Sequence, residues 1–190
     1  MSITSAKSGA TGISLALDNN FMEPIASTLV GAGGVNQVTF NDIPQTYKHL
    51  QIRGISRPTE SGSTGGQYVY LRMNADAGTS YARHFLTGDG STATAAGAAS
   101  QTEIRASYQL RNGFTAGIYA AVIVDILDYS NTNKYKTTRS LGGFDSNGGG
   151  YAALGSGLWM NTNSINSLTL LCEVGDFVQY SRFSLYGIKG

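Results

Sequence analysis

Residues 177–189 read FVQYSRFSLYGIK. In an extended chain Phe177, Gln179, Ser181, Phe183 and Leu185 share one face, and Val178, Tyr180, Arg182, Ser184 and Tyr186 share the other. A period of two sustained this long predicts a strand with one covered face. The same signal recurs back along the chain. Strand-like segments occupy 35–40, 47–55, 67–73, 82–88, 102–110, 117–129, 134–142, 151–160 and 165–174, each bounded by Gly, Asn, Asp or Ser. No window carries apolar residues at helical spacing over three turns. The chain is therefore expected to be all-β, a jelly-roll-like β-sandwich over 35–190.

One run differs from the rest. AAVIVDIL (120–127) is apolar at odd and even positions alike, which predicts a central strand covered on both sides. Asp125 interrupts it. A carboxylate there needs either an arginine on a neighbouring strand or a solvated strand end. Between the strands, 61–66, 88–100 and 145–150 read as loops, and the second has no large side chain. Asp76 and Asp89 sit in turn sequences. Carboxylates there are usual Asx-turn acceptors, and their spacing is not that of a calcium loop.

Composition narrows the function classes. The formal net charge is +1, which gives no electrostatic footprint for nucleic acid or an anionic membrane. Charged residues make up 13% of the chain, about half the usual share, and the surface relies on Ser, Thr, Asn and Gly instead. Such a surface suits a protein covered by neighbours. No stretch has the length of a membrane span or the pattern of a secretory leader, so synthesis in a cytoplasm is expected. Cys172, the lone cysteine, lies in an apolar segment and reads as a small core hydrophobe.

Little in the sequence points to chemistry. His49 and His84 fall inside expected strands and read as structural. There is no GxSxG elbow, no phosphate loop, no HExxH and no EF-hand loop. No catalytic residue, metal ligand or cofactor is assigned, and a non-enzymatic protein is expected. Tyr68, Tyr70, Tyr81, Tyr119, Tyr180 and Tyr186 also lie in expected strands, and Trp159 stands beside Met160. Aromatics on a sandwich can stack on sugars or fill a protein interface, although most are expected to line the core or the seam between sheets.

The N-terminal stretch ISLALDNNFMEPIASTLVGAGG (13–34) alternates without an obvious partner. Residues 1–34 read as an arm and hinge. Ile13, Leu15, Leu17, Phe21 and Met22 are its candidate partner-binding side chains, added as a strand to a neighbour's sheet. Pro24 is expected to stop the strand, and GAGG (31–34) to act as the hinge. The alternative is that this segment is the first strand of the chain's own sandwich.

Four motifs carry a resemblance: FMEPIAST (21–28), FNDIPQTYKHLQIRGISR (40–57), YLRMNADAGTSYARHFLTGDGS (70–91) and the terminal FSLYGIKG (183–190). Together they resemble small virion structural proteins of tailed phages, especially marine and cyanobacterial ones. The resemblance implies a β-rich, non-enzymatic virion component assembled in the host cytoplasm, with other virion proteins as partners. It is compatible with head, tail and fibre positions; the first reading is a trimeric capsid decoration or cement protein bound through its N-terminal arm to the major capsid protein. The alternative is a tail or fibre component that binds host-surface carbohydrate.

Overall fold

The structure, a computed structural model, describes residues 21–62 and 65–190. Twelve strands follow one another: β1 (Met22–Leu29), β2 (Gln37–Phe40), β3 (His49–Ser56), β4 (Gly66–Met73), β5 (Tyr81–Gly88) and β6 (Ala93–Gln101) come first. The chain continues through β7 (Ile104–Leu110), β8 (Ala120–Leu127), β9 (Lys136–Asp145), β10 (Gly150–Trp159), β11 (Leu168–Cys172) and β12 (Arg182–Ile188). There is no helix among the described residues. The strands form an eight-stranded sheet, β1-β12-β3-β8-β9-β10-β5-β6, and a four-stranded sheet, β2-β11-β4-β7. Every pairing is antiparallel. The expected β-sandwich is present, with sheets of unequal size. The chain crosses between them repeatedly, so neither sheet can form alone.

Alternation builds the core. Leu50 and Ile52 of β3, Val122, Val124 and Ile126 of β8, and Phe183 and Leu185 of β12 face Val69, Leu71 and Met73 of β4 and Leu168 and Leu170 of β11. Each such side chain contributes about 1.5–3 kcal/mol on burial. Glycine sets the spacing on one flank. A Cβ on Gly142 would lie 2.1 Å from Ser107 Oγ, and one on Gly157 would lie 2.5 Å from Ile104 Cγ2. Bare backbone in β9 and β10 therefore lets β7 lie close against them.

Four readings need correction. First, β8 is central but covered on one side only. Ala120, Val122, Val124 and Ile126 are buried, whereas Ala121, Ile123 and Leu127 are exposed, because no layer among the described residues lies over the outer face. Second, the stretch 88–100 is not a loop. It contains β6, which pairs with β5 from Gly88↔Ala93 onwards. Backbone pairing needs no large side chain, and Asp89 closes the hairpin by accepting from Ser91 N and Thr92 N. Third, the last strand starts late. Tyr180 has φ 71° and Ser181 N bonds to Val178 O, which makes a turn before β12. Phe177, Ser181, Phe183 and Leu185 are buried, but Gln179, expected on the same face, is exposed, because the turn at Tyr180 interrupts the alternation.

The fourth correction concerns Pro24; of the two readings of the N-terminal segment, residues 22–29 follow the one that makes them a strand of the chain's own sheet, and residues 1–20 lie outside the described residues. Met22–Leu29 pairs with β12 as an edge strand of the chain's own sheet. Pro24 does not stop it, because proline is tolerated on an edge and the register shifts between Pro24 and Ala26. GAGG is a turn closed by Gly34 N to Gly31 O, with Gly34 at φ 67°. Its neighbour Val30 is anchored through Val30 N to Ser181 O and Tyr180 N to Val30 O.

Two buried cations hold irregular backbone in place. The Arg57 guanidinium uses all five of its donors: Nε bonds Asn112 Oδ1, and the two terminal nitrogens bond the carbonyls of Asn112, Phe114, Thr115 and Ile118. This fixes the β7–β8 connection. The Lys136 ammonium, on a wholly buried residue, donates to the carbonyls of Asn131, Lys134 and Thr162.

Candidate functional site

The histidines and turn aspartates read from the sequence as structural hold structural contacts. His49 Nδ1 accepts from Asp128 N, and the His84 ring lies over Gly97, where a Cβ would approach it to 2.6 Å. Asp76 accepts from Gly78 N, Ser80 Oγ and Trp159 Nε1, and these bonds, that from Ser80 first, hold its carboxyl below the usual range. Asp89 is spent on Ser91 and Thr92. Both are Asx-type acceptors, and no cluster of three metal-ligating side chains occurs among the described residues. Asp125 lies on the outer face, bonded by Gln51 Nε2 at 2.7 Å and 3.8 Å from Arg139 on the adjacent strand. Burial pushes the Cys172 thiol up to about 11, so it is neutral at physiological pH.

Of the candidate partner-binding residues, Ile13, Leu15 and Leu17 lie outside the described residues. Phe21 is 74% exposed, and its carbonyl accepts from Lys189 N. Met22 stands opposite Ile188 within the sheet.

Two surface features emerge that pattern reading did not assemble. The first lies on the outer face of the large sheet. The registers place Ile123, Leu141, Leu154 and Leu86 side by side on β8, β9, β10 and β5. Their exposures are 38%, 55%, 52% and 46%. On one flank runs a row of small residues, Ala121, Gly143, Ala152 and Gly88. On the other runs a polar row, Asp125, Arg139, Ser156 and His84. Single exposed leucines are ordinary, but four in lateral register make a continuous apolar ridge about 14 Å across at normal strand spacing. Beside it a shallow, mostly apolar depression of about 640 Å³ is lined by Leu86, Ala95, Leu154 and Ser156, among others.

The second feature lies under the β5–β6 hairpin. The inner face of β5 presents Arg83, Phe85 and Thr87, opposite Ala98, Ala96 and Thr94 of β6. This face reaches past β7 to side chains on the outward surface of the small sheet. Phe85 meets Tyr68 edge-on at 5.3 Å, Tyr68 meets Tyr108 at 5.1 Å, and Tyr108 meets Tyr151 at 4.6 Å. The Arg105 guanidinium sits 3.9 Å over the Tyr68 ring, and that of Arg83 sits 5.6 Å from the Tyr70 ring. Two cavities with no lining residue in common follow one another along β5. One of about 160 Å³ is lined by Arg83, Phe85, Arg105 and the small residues of β6. The other, of about 360 Å³, is lined by Tyr68, Thr87, Thr94, Tyr108 and Tyr151, with Asp89 at its rim.

Of the tyrosines singled out from the sequence, Tyr68 and Tyr70 belong to this groove. Tyr81 is core, Tyr119 bonds the Gln179 carbonyl, Tyr180 is exposed, and Tyr186 lies 5.9 Å from the Arg53 guanidinium. Arg83 and Arg105 went unnoticed. Arg83 has a sequence signal, since alternation puts it on the face of Phe85 in ARHFLTG (82–88), whereas Arg105 and Tyr108 are three residues apart and share a face only through the register shift in β7.

No family model matches the chain, and no curated protein matches it in sequence. Among solved structures, the enzymatically active domain of tailspike protein 2 of bacteriophage CBA120 superposes with a TM-score of 0.32 at 11% identity. The match covers 90% of this chain and 29% of the tailspike chain.

Proposed function

We propose that this protein is a non-enzymatic structural component of a tailed-phage particle, docked on a neighbouring virion protein through the outer face of its large sheet. The observation that carries the reading is the apolar ridge Ile123–Leu141–Leu154–Leu86 on four adjacent strands. A surface this low in charge, with its apolar residues gathered in one row, is suited to permanent cover by a partner. The motif resemblance to phage virion proteins supplies the kind of partner. A ridge of this form serves a capsid lattice and a tail assembly equally well.

Changing Ile123 and Leu141 together to Asp places two carboxylates in the contact. Incorporation into particles should be lost, while circular dichroism and the melting temperature stay near wild type. Normal occupancy of the double variant would overturn the reading. Densitometry of purified virions then assigns the position: hundreds of copies place the protein on the capsid, and a handful to a few dozen place it on the tail.

A further inference from the structure

Arg83 and Arg105 line one cavity, and both Nε atoms are buried without a hydrogen-bond partner among the described residues. Arg83 makes one bond, to the Glu103 carbonyl, and Arg105 makes none among the described residues. No carboxylate within ion-pair distance of either is found among the described residues. Two acids in the surrounding strands are committed elsewhere. Glu103 pairs with Arg72 and accepts from Thr102, and Glu173 accepts from Tyr70 Oη and Tyr68 N. Burial, and then the charge of Arg105, push the Arg83 guanidinium below its ordinary value. Both side chains are half-buried, and neighbouring half-buried cations with unused donors favour an anion that completes them.

The second cavity decides what the anion is attached to. Its walls are phenol rings and threonine hydroxyls, including the Thr87–Thr94 pair at 2.7 Å. Flat rings accept the C–H face of a sugar, and hydroxyls exchange hydrogen bonds with its own. Asp89 stands at the far end. Backbone amides, that of Thr92 first, hold its carboxyl below the usual range, so it is ionised and repels further negative charge. A ligand with its charge at one end and neutral hydroxyls at the other therefore fits, and a polyphosphate does not. At about 360 Å³ the chamber lies at the lower end of ordinary ligand sites.

We propose that the groove beneath the β5–β6 hairpin binds a carboxylated sugar of the uronic acid type, its carboxylate between Arg83 and Arg105 and its ring against Tyr68, Tyr108 and Tyr151. This names a ligand class for the carbohydrate-binding alternative. It rests on a surface separate from the docking ridge, so either assignment can fail without the other.

The test titrates the full chain with a tetragalacturonate, with galacturonic acid and with the matching neutral hexose oligomer, followed by calorimetry and tyrosine fluorescence. Saturable binding of the uronates and none of the neutral sugar is expected. Binding of the monomer as well as the oligomer identifies the single residue as the recognised unit, whereas binding of the oligomer alone identifies a chain. Arg105→Gln and Arg83→Gln should each weaken binding about tenfold or more, the loss of a charge-assisted contact. Ala98→Leu, which fills the smaller cavity from the edge strand and leaves both arginines in place, should do the same even where an arginine variant folds poorly. Equal binding of neutral and acidic sugars, wild-type affinity in the Ala98→Leu variant, or capture of an acidic peptide but no uronate would each overturn the proposal.

Discussion

Arg57 is a buried cation and Arg83 and Arg105 are half-buried ones in the same sandwich, and they are treated in opposite ways. Arg57 meets five acceptors with its five donors and holds the backbone from Asn112 to Ile118 in place. Lys136 is satisfied likewise by three carbonyls. Arg83 and Arg105 face a cavity with donors to spare. A cation saturated by its own chain has nothing left to offer a ligand, and its role is structural. One left unsaturated beside a cavity contributes little to holding the fold, and its donors are available to something that is not the protein. Charge alone does not separate the two cases; the count of acceptors does.

The contrast can be broken by thermal and denaturant unfolding. The largest effect is expected for Arg57→Ala. It leaves four carbonyls and one amide oxygen short of a donor and should cost several kcal/mol, enough to lower the melting midpoint by well over ten degrees or prevent folding. A loss within 1 kcal/mol would show that water replaces the guanidinium and that saturation is not what makes Arg57 structural.

An intermediate effect is expected at Asp76, a carboxylate saturated by Gly78, Ser80 and Trp159. Its folded pKa is lowered, chiefly by the Ser80 hydroxyl and then by the Trp159 indole. The unfolded chain therefore binds the proton more readily. The stabilisation is complete above the ordinary carboxyl value, about 3.9, and is lost as the pH falls through the lower folded value. Asp76→Asn should lower stability at neutral pH and flatten the acid limb of the stability profile. A variant with an unchanged acid limb would assign that limb to other carboxylates.

The smallest effect is expected for Arg105→Gln. It removes no hydrogen bond to the described residues. It gives up a cation–π contact with Tyr68 of about 0.5–1 kcal/mol and relieves the repulsion on Arg83, so the net change should stay within about 1 kcal/mol of zero. Destabilisation comparable to that of Arg57→Ala would show that Arg105 holds the fold, and the division between the two kinds of cation would fail.

Much of the architecture was legible locally. The burial of Phe183 and Leu185 follows from alternation, because a strand's side chains must point to opposite sides, whereas AAVIVDIL, apolar at all but one position, does not reveal which of its faces is covered. Less legible was β6. ATAAGAASQ carries no apolar side chain larger than alanine, so it shows no face for a pattern to reveal, and only pairing with β5 defines it. Met22–Leu29 was ambiguous for a related reason: alternation reports that a face is covered but not by which sheet. Pro24 misled, since its cost depends on whether the strand lies at an edge.

The sequence by itself determined the all-β class, the faces of most strands and the absence of familiar catalytic motifs, since each depends on residues within one strand or turn. Tertiary structure alone decided which strands became neighbours. Ile123, Leu141, Leu154 and Leu86 are spread over 69 positions of chain and form a ridge only through the registers of three strand pairings. Arg83 and Arg105 share a cavity only because β5 reaches past the edge of the opposite sheet. Alternation fixes which way a side chain points, whereas pairing over long stretches of chain fixes what it meets.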